Sequence, residues 1–313
     1  MKKPEVITTG EILVEIMRKG TDASFLEPGI FLGPYPSGAP GIFISAVSRI
    51  SQKKVSTGII SVCGKDDFGK LVLKRLKDDG VDTSCVRKTE ITTGAAFVRY
   101  LPDGNRQFIF HPGAAGFLRP QDIRPEYFSK IKVFHITGSS IFISPSSFRA
   151  CEKALGIAVK NNAIVSFDPN IRKEMVSFKQ NIAKINTFLK HTKIFFTTEE
   201  EVFLLFGKKP INVIVENLLK SGVEIIVIKK GEKGSDIFSE KGKIEIPALN
   251  VKVIDPTGAG DTYAGAFIAC YCLGKHISEC GKIASITASL KCTRQGPMSI
   301  PEYKEIEKIL KVN

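Results

Sequence analysis

The sequence predicts an α/β protein, with a mainly parallel central sheet, helices on both faces and a small additional β-sheet. Three observations carry the prediction. Short apolar runs alternate with amphipathic stretches along most of the chain, the pattern of βαβ units. Two Gly- and Pro-rich stretches interrupt that alternation, and one has the form of a β-hairpin. The chain has 313 residues, 43% of them hydrophobic, which suits one large domain whose core needs no disulfides.

The elements follow in order. VITTGEILVEI (6–16) reads as a first strand, PGIFISAVSRIS (40–51) as a helix and VSTGIISVC (55–63) as a strand. DFGKLVLKRLKDDG (67–80) is an amphipathic helix stopped by Gly80. Residues 132–140 read as strand, 146–162 as helix, 163–170 as strand and 181–192 as helix. KIFFTTEEE (193–201) is a strand running into a turn, 213–222 a helix and 224–231 a strand. Two helices, over 258–274 and 279–296, close the series. In such parallel sheets ligands bind at the carboxyl ends of the strands.

The interruptions are IFLGPYPSG (30–38) and TTGAAFVRYLPDGNRQFIFHPG (92–113), where Pro102-Asp103-Gly104-Asn105 signals the hairpin turn. A hairpin fits poorly inside a parallel sheet, so it reads as a small β-lid over the ligand edge or as surface decoration. The lid reading gives one domain over 1–313 with a discontinuous lid from about 11–36 and 91–112.

Composition excludes several classes. The net charge is +13, but the lysines are scattered and no basic stripe interleaved with aromatics is present. That describes a solvated surface, or attraction for anions such as nucleotides and acidic sugars, rather than a nucleic-acid interface. The seven cysteines form no CxxC pair or zinc spacing, which points to a reducing cytoplasm. No apolar run is long enough for a membrane span, and the start MKKPEVITTGEILVEI lacks the apolar core of a leader. The four histidines form no ligand pattern.

The segment that carries chemistry is Val253-Ile254-Asp255-Pro256-Thr257-Gly258-Ala259-Gly260-Asp261-Thr262. It reads as an apolar strand, a tight glycine turn and a helix start. Glycines at 258 and 260 let the backbone bend and approach a ligand, and first-turn amides suit a phosphate or a developing negative charge. Asp261 is placed either to cap the helix or to accept the proton of a substrate hydroxyl.

The string Asp255–Asp261 resembles the C-terminal signature of the ribokinase-like (PfkB) carbohydrate kinases. Further matches follow in the family's order. Ser37-Gly38-Ala39-Pro40 resembles the N-terminal sugar-binding turn, and Gly64–Gly69 the G-x-D-x-F-G segment. Thr198–Glu201 resembles Asn-x-x-Glu, and Lys229–Gly234 the nucleotide-side K-x-G-x-x-G loop. The resemblance implies an ATP- and Mg²⁺-dependent sugar kinase, with Asp261 as base and Gly258, Ala259 and Gly260 as the anion hole. It implies Lys229, Gly231, Gly234 and Thr198 on the nucleotide side and Glu201 near Mg²⁺ through water. It also implies Asp255 and Thr257 at a monovalent-cation (K⁺) site, and a homodimer formed through the lid.

Asp168-Pro169-Asn170-Ile171-Arg172 ends a predicted strand and resembles the D-x-N-x-R segment of kinases for keto-deoxy sugar acids, so Asp168, Asn170 and Arg172 are candidate substrate contacts. Glu15, Gly38, Arg99 and Arg106 complete the candidate sugar side. Two departures affect that side. Ser37 replaces the first glycine of the sugar turn, and Ile42 stands where the family has an asparagine. A 2-keto-3-deoxygluconate-like acid is the favoured acceptor, with a fructose- or tagatose-type ketohexose or a nucleoside as alternatives. A catalytically silent sugar- or nucleotide-binding protein is the alternative of another class.

Overall fold

The computed structural model describes residues 3–21, 23–102, 106–171 and 178–311. The chain opens with β1 (Val6–Thr9), β2 (Leu13–Thr21), β3 (Phe31–Ser37), α1 (Ala39–Ile50), β4 (Thr57–Gly64), α2 (Asp67–Asp78) and β5 (Asp82–Thr89). It continues with β6 (Thr93–Tyr100), β7 (Arg106–Gly113), β8 (Val133–Thr137), α3 (Gly138–Phe142), α4 (Pro145–Lys160), β9 (Ile164–Asp168) and α5 (Phe178–Leu189). Then come β10 (Ile194–Thr198), α6 (Glu199–Phe206), α7 (Ile211–Lys220), β11 (Ile225–Lys229), β12 (Ser235–Ser239), β13 (Gly242–Ile246), α8 (Ala259–Cys272), α9 (Ile277–Cys292) and α10 (Tyr303–Leu310).

The large sheet has the order β13-β12-β11-β10-β9-β8-β1-β4-β5, parallel from β11 through β5 and antiparallel at β12 and β13. Its central strands are buried on both faces, which explains why they read as continuous β-branched and aromatic runs. One core lies between the sheet and α1, α2, α8 and α9; the other lies under α4, α5 and α7.

The small sheet has the order β3-β2-β6-β7, with β2 and β6 parallel and the outer pairs antiparallel. Register puts Glu15, Ala96 and Phe110 on one face together with Met17, Val98 and Phe108. Residues Asp103, Gly104 and Asn105 of the predicted hairpin turn lie outside the described residues, but β6 and β7 flank them as expected.

Several sequence expectations are corrected. The single strand over 6–16 is two strands in two different sheets. The break is Gly10, at φ 146°, where a Cβ would stand 1.8 Å from Ser140 Oγ. The turn after β10 is the helix α6. No strand precedes Asp255: the amides of Ile254 and Asp255 both donate to the Cys292 carbonyl at the end of α9 (2.8 and 3.0 Å), and the Val253 and Ile254 side chains are exposed.

Candidate active site

The glycine turn is built by its own side chains. Thr257 N–H donates to Asp255 Oδ1 at 2.9 Å, a local turn that brings Gly258 into place at φ 77°. A Cβ on Gly258 would lie 2.9 Å from both Ile42 Cδ1 and the Pro297 carbonyl, so only glycine fits. α8 starts at the next residue. Ala259 N–H is drawn back to the Pro256 carbonyl at 3.2 Å, which takes one of the three expected anion-hole amides into the turn itself. Asp261 does not cap α8: Gly258 is the cap residue, and no side chain caps there. Asp261 is nearly buried, and its Oδ1 accepts from Asn170 Nδ2 at 3.0 Å.

Three neighbouring strand ends supply the facing wall. Asp168 ends β9, Thr198 ends β10 and Lys229 ends β11, with Thr198 and Lys229 in register. Lys229 Nζ pairs with Asp168 Oδ2 at 2.5 Å and lies 3.2 Å from the position a Cβ would take on Gly260. Burial pulls the Lys229 ammonium down. The negative charges of Asp168, Glu201 and Asp261, with the Asp168 hydrogen bond, outweigh it, so the group is held above its ordinary value and stays charged. Asn170 adopts φ 41°, a left-handed conformation that asparagine tolerates. Arg172 lies outside the described residues.

Glu201 closes a capping box on α6. Its Oε2 accepts from Thr198 N–H (2.8 Å), while its own N–H donates to Thr198 Oγ1 (3.2 Å). Its Oε1 accepts from Ile171 N–H at 2.8 Å. Burial first, and the Asp168 charge second, hold this carboxyl above its ordinary value.

Two cavities meet at the turn. One, of about 560 Å³, runs from Glu15, Arg106 and Phe108 on the small sheet to Asp168, Asn170 and Asp261. The other, of about 610 Å³, lies beyond Lys229, Gly231 and Gly234 and has an apolar wall that includes Leu249, Val251, Val253 and Ala288. Lys229, Gly231, Pro256, Ala259 and Gly260 line both. Most sequence-predicted residues therefore converge. Gly38 instead lines a small recess beside Glu11 and Glu15. Arg99 is not among the cavity-lining residues: its Nε donates to Gln107, and its guanidinium lies over the Phe25 ring.

The two departures have visible roles. Ser37 Oγ donates to Glu15 Oε1 at 2.7 Å, and Ile42 packs beneath Gly258. Sequence reasoning missed the apolar wall, which joins Leu249, Val251 and Val253, from a loop without periodicity, to Ala288 of α9. It also missed Glu11, buried and held by Ser139 and Ser140 (2.7 and 2.6 Å), as well as Tyr100 and Lys291, which are described next.

The metal expectations separate. Among the described residues no group of three His, Cys, Asp or Glu side chains is arranged to hold a metal. Glu201, with both oxygens accepting backbone amides, suits contact with Mg²⁺ through water rather than direct ligation. A monovalent cation does not fit at Asp255. Its Oδ1 accepts from Tyr100 hydroxyl (2.6 Å) and Thr257 N–H, and its Oδ2 from Gly296 N–H (2.8 Å) and Gln295 Nε2 (3.4 Å). Thr257 Oγ1 meets the same Tyr100 hydroxyl at 2.9 Å, and the buried Lys291 ammonium sits on the Asp255 carbonyl at 2.8 Å.

Strand ends of a parallel sheet, a helix N-terminus behind a glycine turn, a buried lysine and a facing aspartate define a phosphotransferase acting on a small molecule. Comparison with known proteins gives the family. The model for the "pfkB family carbohydrate kinase" matches residues 43–303. A probable fructokinase-5 of Arabidopsis thaliana is 29% identical, over 98% of this chain and 98% of its own length. A crystal structure of a putative ribokinase II from E. coli, in complex with ATP and Mg²⁺, is 38% identical and superposes at a TM-score of 0.92, covering 99% of this chain and 100% of that one. A fructokinase from Vibrio cholerae O395, in a fructose-, ADP- and calcium-bound form, shares the fold at a TM-score of 0.85 and 23% identity, over 99% and 100% of the two chains. The chain belongs to the pfkB family of carbohydrate kinases and is an ATP-dependent sugar kinase. Among the described residues no helix is long and apolar enough to cross a membrane.

Proposed function

We propose that this kinase phosphorylates a hydroxyl of a sugar acid of the 2-keto-3-deoxygluconate type, bound between the small sheet and the glycine turn, with Asp261 as general base. The observation that carries the reading is the position of Asp261, which lines the acceptor cavity, is oriented by Asn170 and lies in the first turn of the helix behind the glycine turn. Asp261 takes the hydroxyl proton, the oxygen attacks the γ-phosphorus in line, and the bond to the β-phosphate oxygen breaks to release ADP. Gly260 N–H at the helix start and the Lys229 ammonium offset charge on the transferred group. Mg²⁺, carried in with the nucleotide phosphates and met by Glu201 through water, neutralises phosphate charge. The apolar wall of the second cavity suits a nucleobase, with Gly231 and Gly234 allowing close approach of the backbone.

Arg106 in the acceptor cavity supports an acid substrate, since a guanidinium binds a carboxylate as a planar fork. The relative named as a probable fructokinase favours a second reading, a fructose-type ketohexose. A coupled ADP-release assay over sugar acids and neutral ketohexoses decides between them. A kcat/KM for fructose above that for every acid would overturn the first reading.

The small sheet supplies Glu15, Arg106 and Phe108 to the cavity and serves as its lid, excluding water during transfer. Its outer surface exposes Ile30, Phe31 and Ile109, which supports a homodimer through the lids, measurable by sedimentation. All seven cysteines are free, as suits a cytoplasmic enzyme.

A further inference from the structure

We propose that the Lys291 ammonium is a built-in cation that positions the phosphate-binding turn, so that this kinase works without a bound monovalent ion there. The inference rests on reading the Gly258 turn as the phosphate-binding turn. Lys291 lies in the last turn of α9 and is 0% exposed, among the most completely buried large side chains of the molecule. Nothing in the phosphoryl-transfer chemistry above uses it. Its Nζ donates to the Asp255 carbonyl at 2.8 Å and stands 3.9 Å from Asp255 Oδ1. The carbonyl of the first residue of the turn and its carboxylate therefore share one positive charge, supplied from α9.

A buried ammonium is costly unless it is paired and hydrogen-bonded, and Asp255 provides both. The pairing acts on each partner. Burial pushes the Asp255 carboxyl up, but Lys291, Tyr100 and the Thr257 amide outweigh it, and the carboxyl is held below its ordinary value. For Lys291, burial dominates and draws the ammonium down against the opposing pull of Asp255.

The same geometry leaves an external ion no place. Asp255 Oδ1 and Oδ2 already accept the four donors described above, and Thr257 Oγ1 is taken by Tyr100. An ion at the Asp255 carbonyl would have to displace Lys291 Nζ or stand against it as a like charge in a water-poor interior. A fixed ammonium gives the turn the same positive charge at its foot without an ion-binding equilibrium. Gly258 and the first amides of α8 follow directly along the chain.

The test uses the full chain and reads both nucleotide affinity and transfer, in potassium, sodium and tetramethylammonium chlorides at equal ionic strength. Wild-type affinity for a non-hydrolysable ATP analogue, and kcat, are expected to agree within about twofold across the three salts. Lys291→Met, close in volume but uncharged, is expected to bind the analogue about tenfold more weakly in tetramethylammonium and to recover part of that loss when potassium or ammonium is added. Ion-specific rescue separates a positioning charge from a packing role. A variant equally weak in all salts overturns the inference, as does a wild type that loses tenfold or more without potassium. Thallium(I) binding, followed by its NMR signal, tests the wild type independently, and a stoichiometric site that potassium displaces also overturns it. If wild type bound the analogue in no salt, the phosphate-turn reading would fall and take the inference with it; a wild type that binds only in potassium overturns the inference alone.

Discussion

The two walls of the acceptor cavity are built on different principles. On the phosphoryl side three carboxylates are held by backbone or by an opposite charge: Asp168 by Lys229, Glu201 by the amides of Ile171 and Thr198, Asp255 by the amides of Thr257 and Gly296. On the acceptor side the groups are side chains on a four-stranded sheet, and Glu15 Oε1 accepts from the Ser37 hydroxyl. Substituting one side chain on a strand leaves the ladder intact, whereas removing a charge from the phosphoryl side strands its partner in the interior. That difference suits an enzyme whose donor is common to its family and whose acceptor is particular to each member.

Breaking the phosphoryl side at its base gives the largest effect. Asp261→Asn keeps the size of the side chain but cannot accept the hydroxyl proton, so kcat is expected to fall about 10³-fold. Affinity for a non-hydrolysable ATP analogue, read by calorimetry, is expected to stay within a few-fold of wild type. A kcat within about tenfold of wild type would remove Asp261 from the role of base.

Lys229→Met tests how far that side depends on charge. It leaves Asp168 and Glu201 without their common counter-charge, and Asp168 is almost fully buried. Breaking such a pair by removing one partner costs about 3 kcal/mol, to be read from urea unfolding. The sign with pH follows from Lys229 being held above its ordinary 10.5: its contribution is complete below that value and is lost only as pH rises through the raised one. The deficit is therefore expected to be constant between pH 7 and 9. A variant as stable as wild type would mean that the ion pair is not what holds the three strand ends together.

The phosphoryl side was also the more legible in sequence. Asp255–Asp261, Asp168–Asn170, Thr198–Glu201 and Lys229–Gly234 each mark a strand end or a helix start, where local chemistry sets local geometry. What escaped depended on distant partners. Gly10 divides one apparent strand between two sheets because Ser140 crowds it, and the alternation of 6–16 runs through the break since both strands are buried. β5 and β13 are hard to read as strands because they are polar edge strands, where burial imposes no apolar run, and β12 because its buried residues include Ser235 and Asp236. The stretch before Asp255 reads as a strand from its valines and isoleucine, but the Ile254 and Asp255 amides donate to the Cys292 carbonyl at the end of α9. Lys291 reads as an ordinary last-turn basic residue, and only the fold shows where its ammonium ends up.

Tyr100 joins the two walls, and the smallest of the predicted effects tests that join. It ends β6 of the small sheet, yet its hydroxyl donates to Asp255 Oδ1 and meets Thr257 Oγ1. Tyr100→Phe keeps the ring and removes only that donor. A hydrogen bond to a charged acceptor contributes about 1.5 kcal/mol, so a drop of a few degrees in melting temperature is expected at neutral pH. The Asp255 carboxylate is held below its ordinary 3.8, in part by this bond, so the stabilisation is present above that pH and fades as pH falls through the lowered value. The difference between variant and wild type should therefore shrink below about pH 4. If the small sheet and the turn are mechanically coupled, the same variant also weakens affinity for the ATP analogue, although Tyr100 belongs to the acceptor side. An unchanged affinity alongside the lost stability would make the two walls independent, with Tyr100 a structural tie alone.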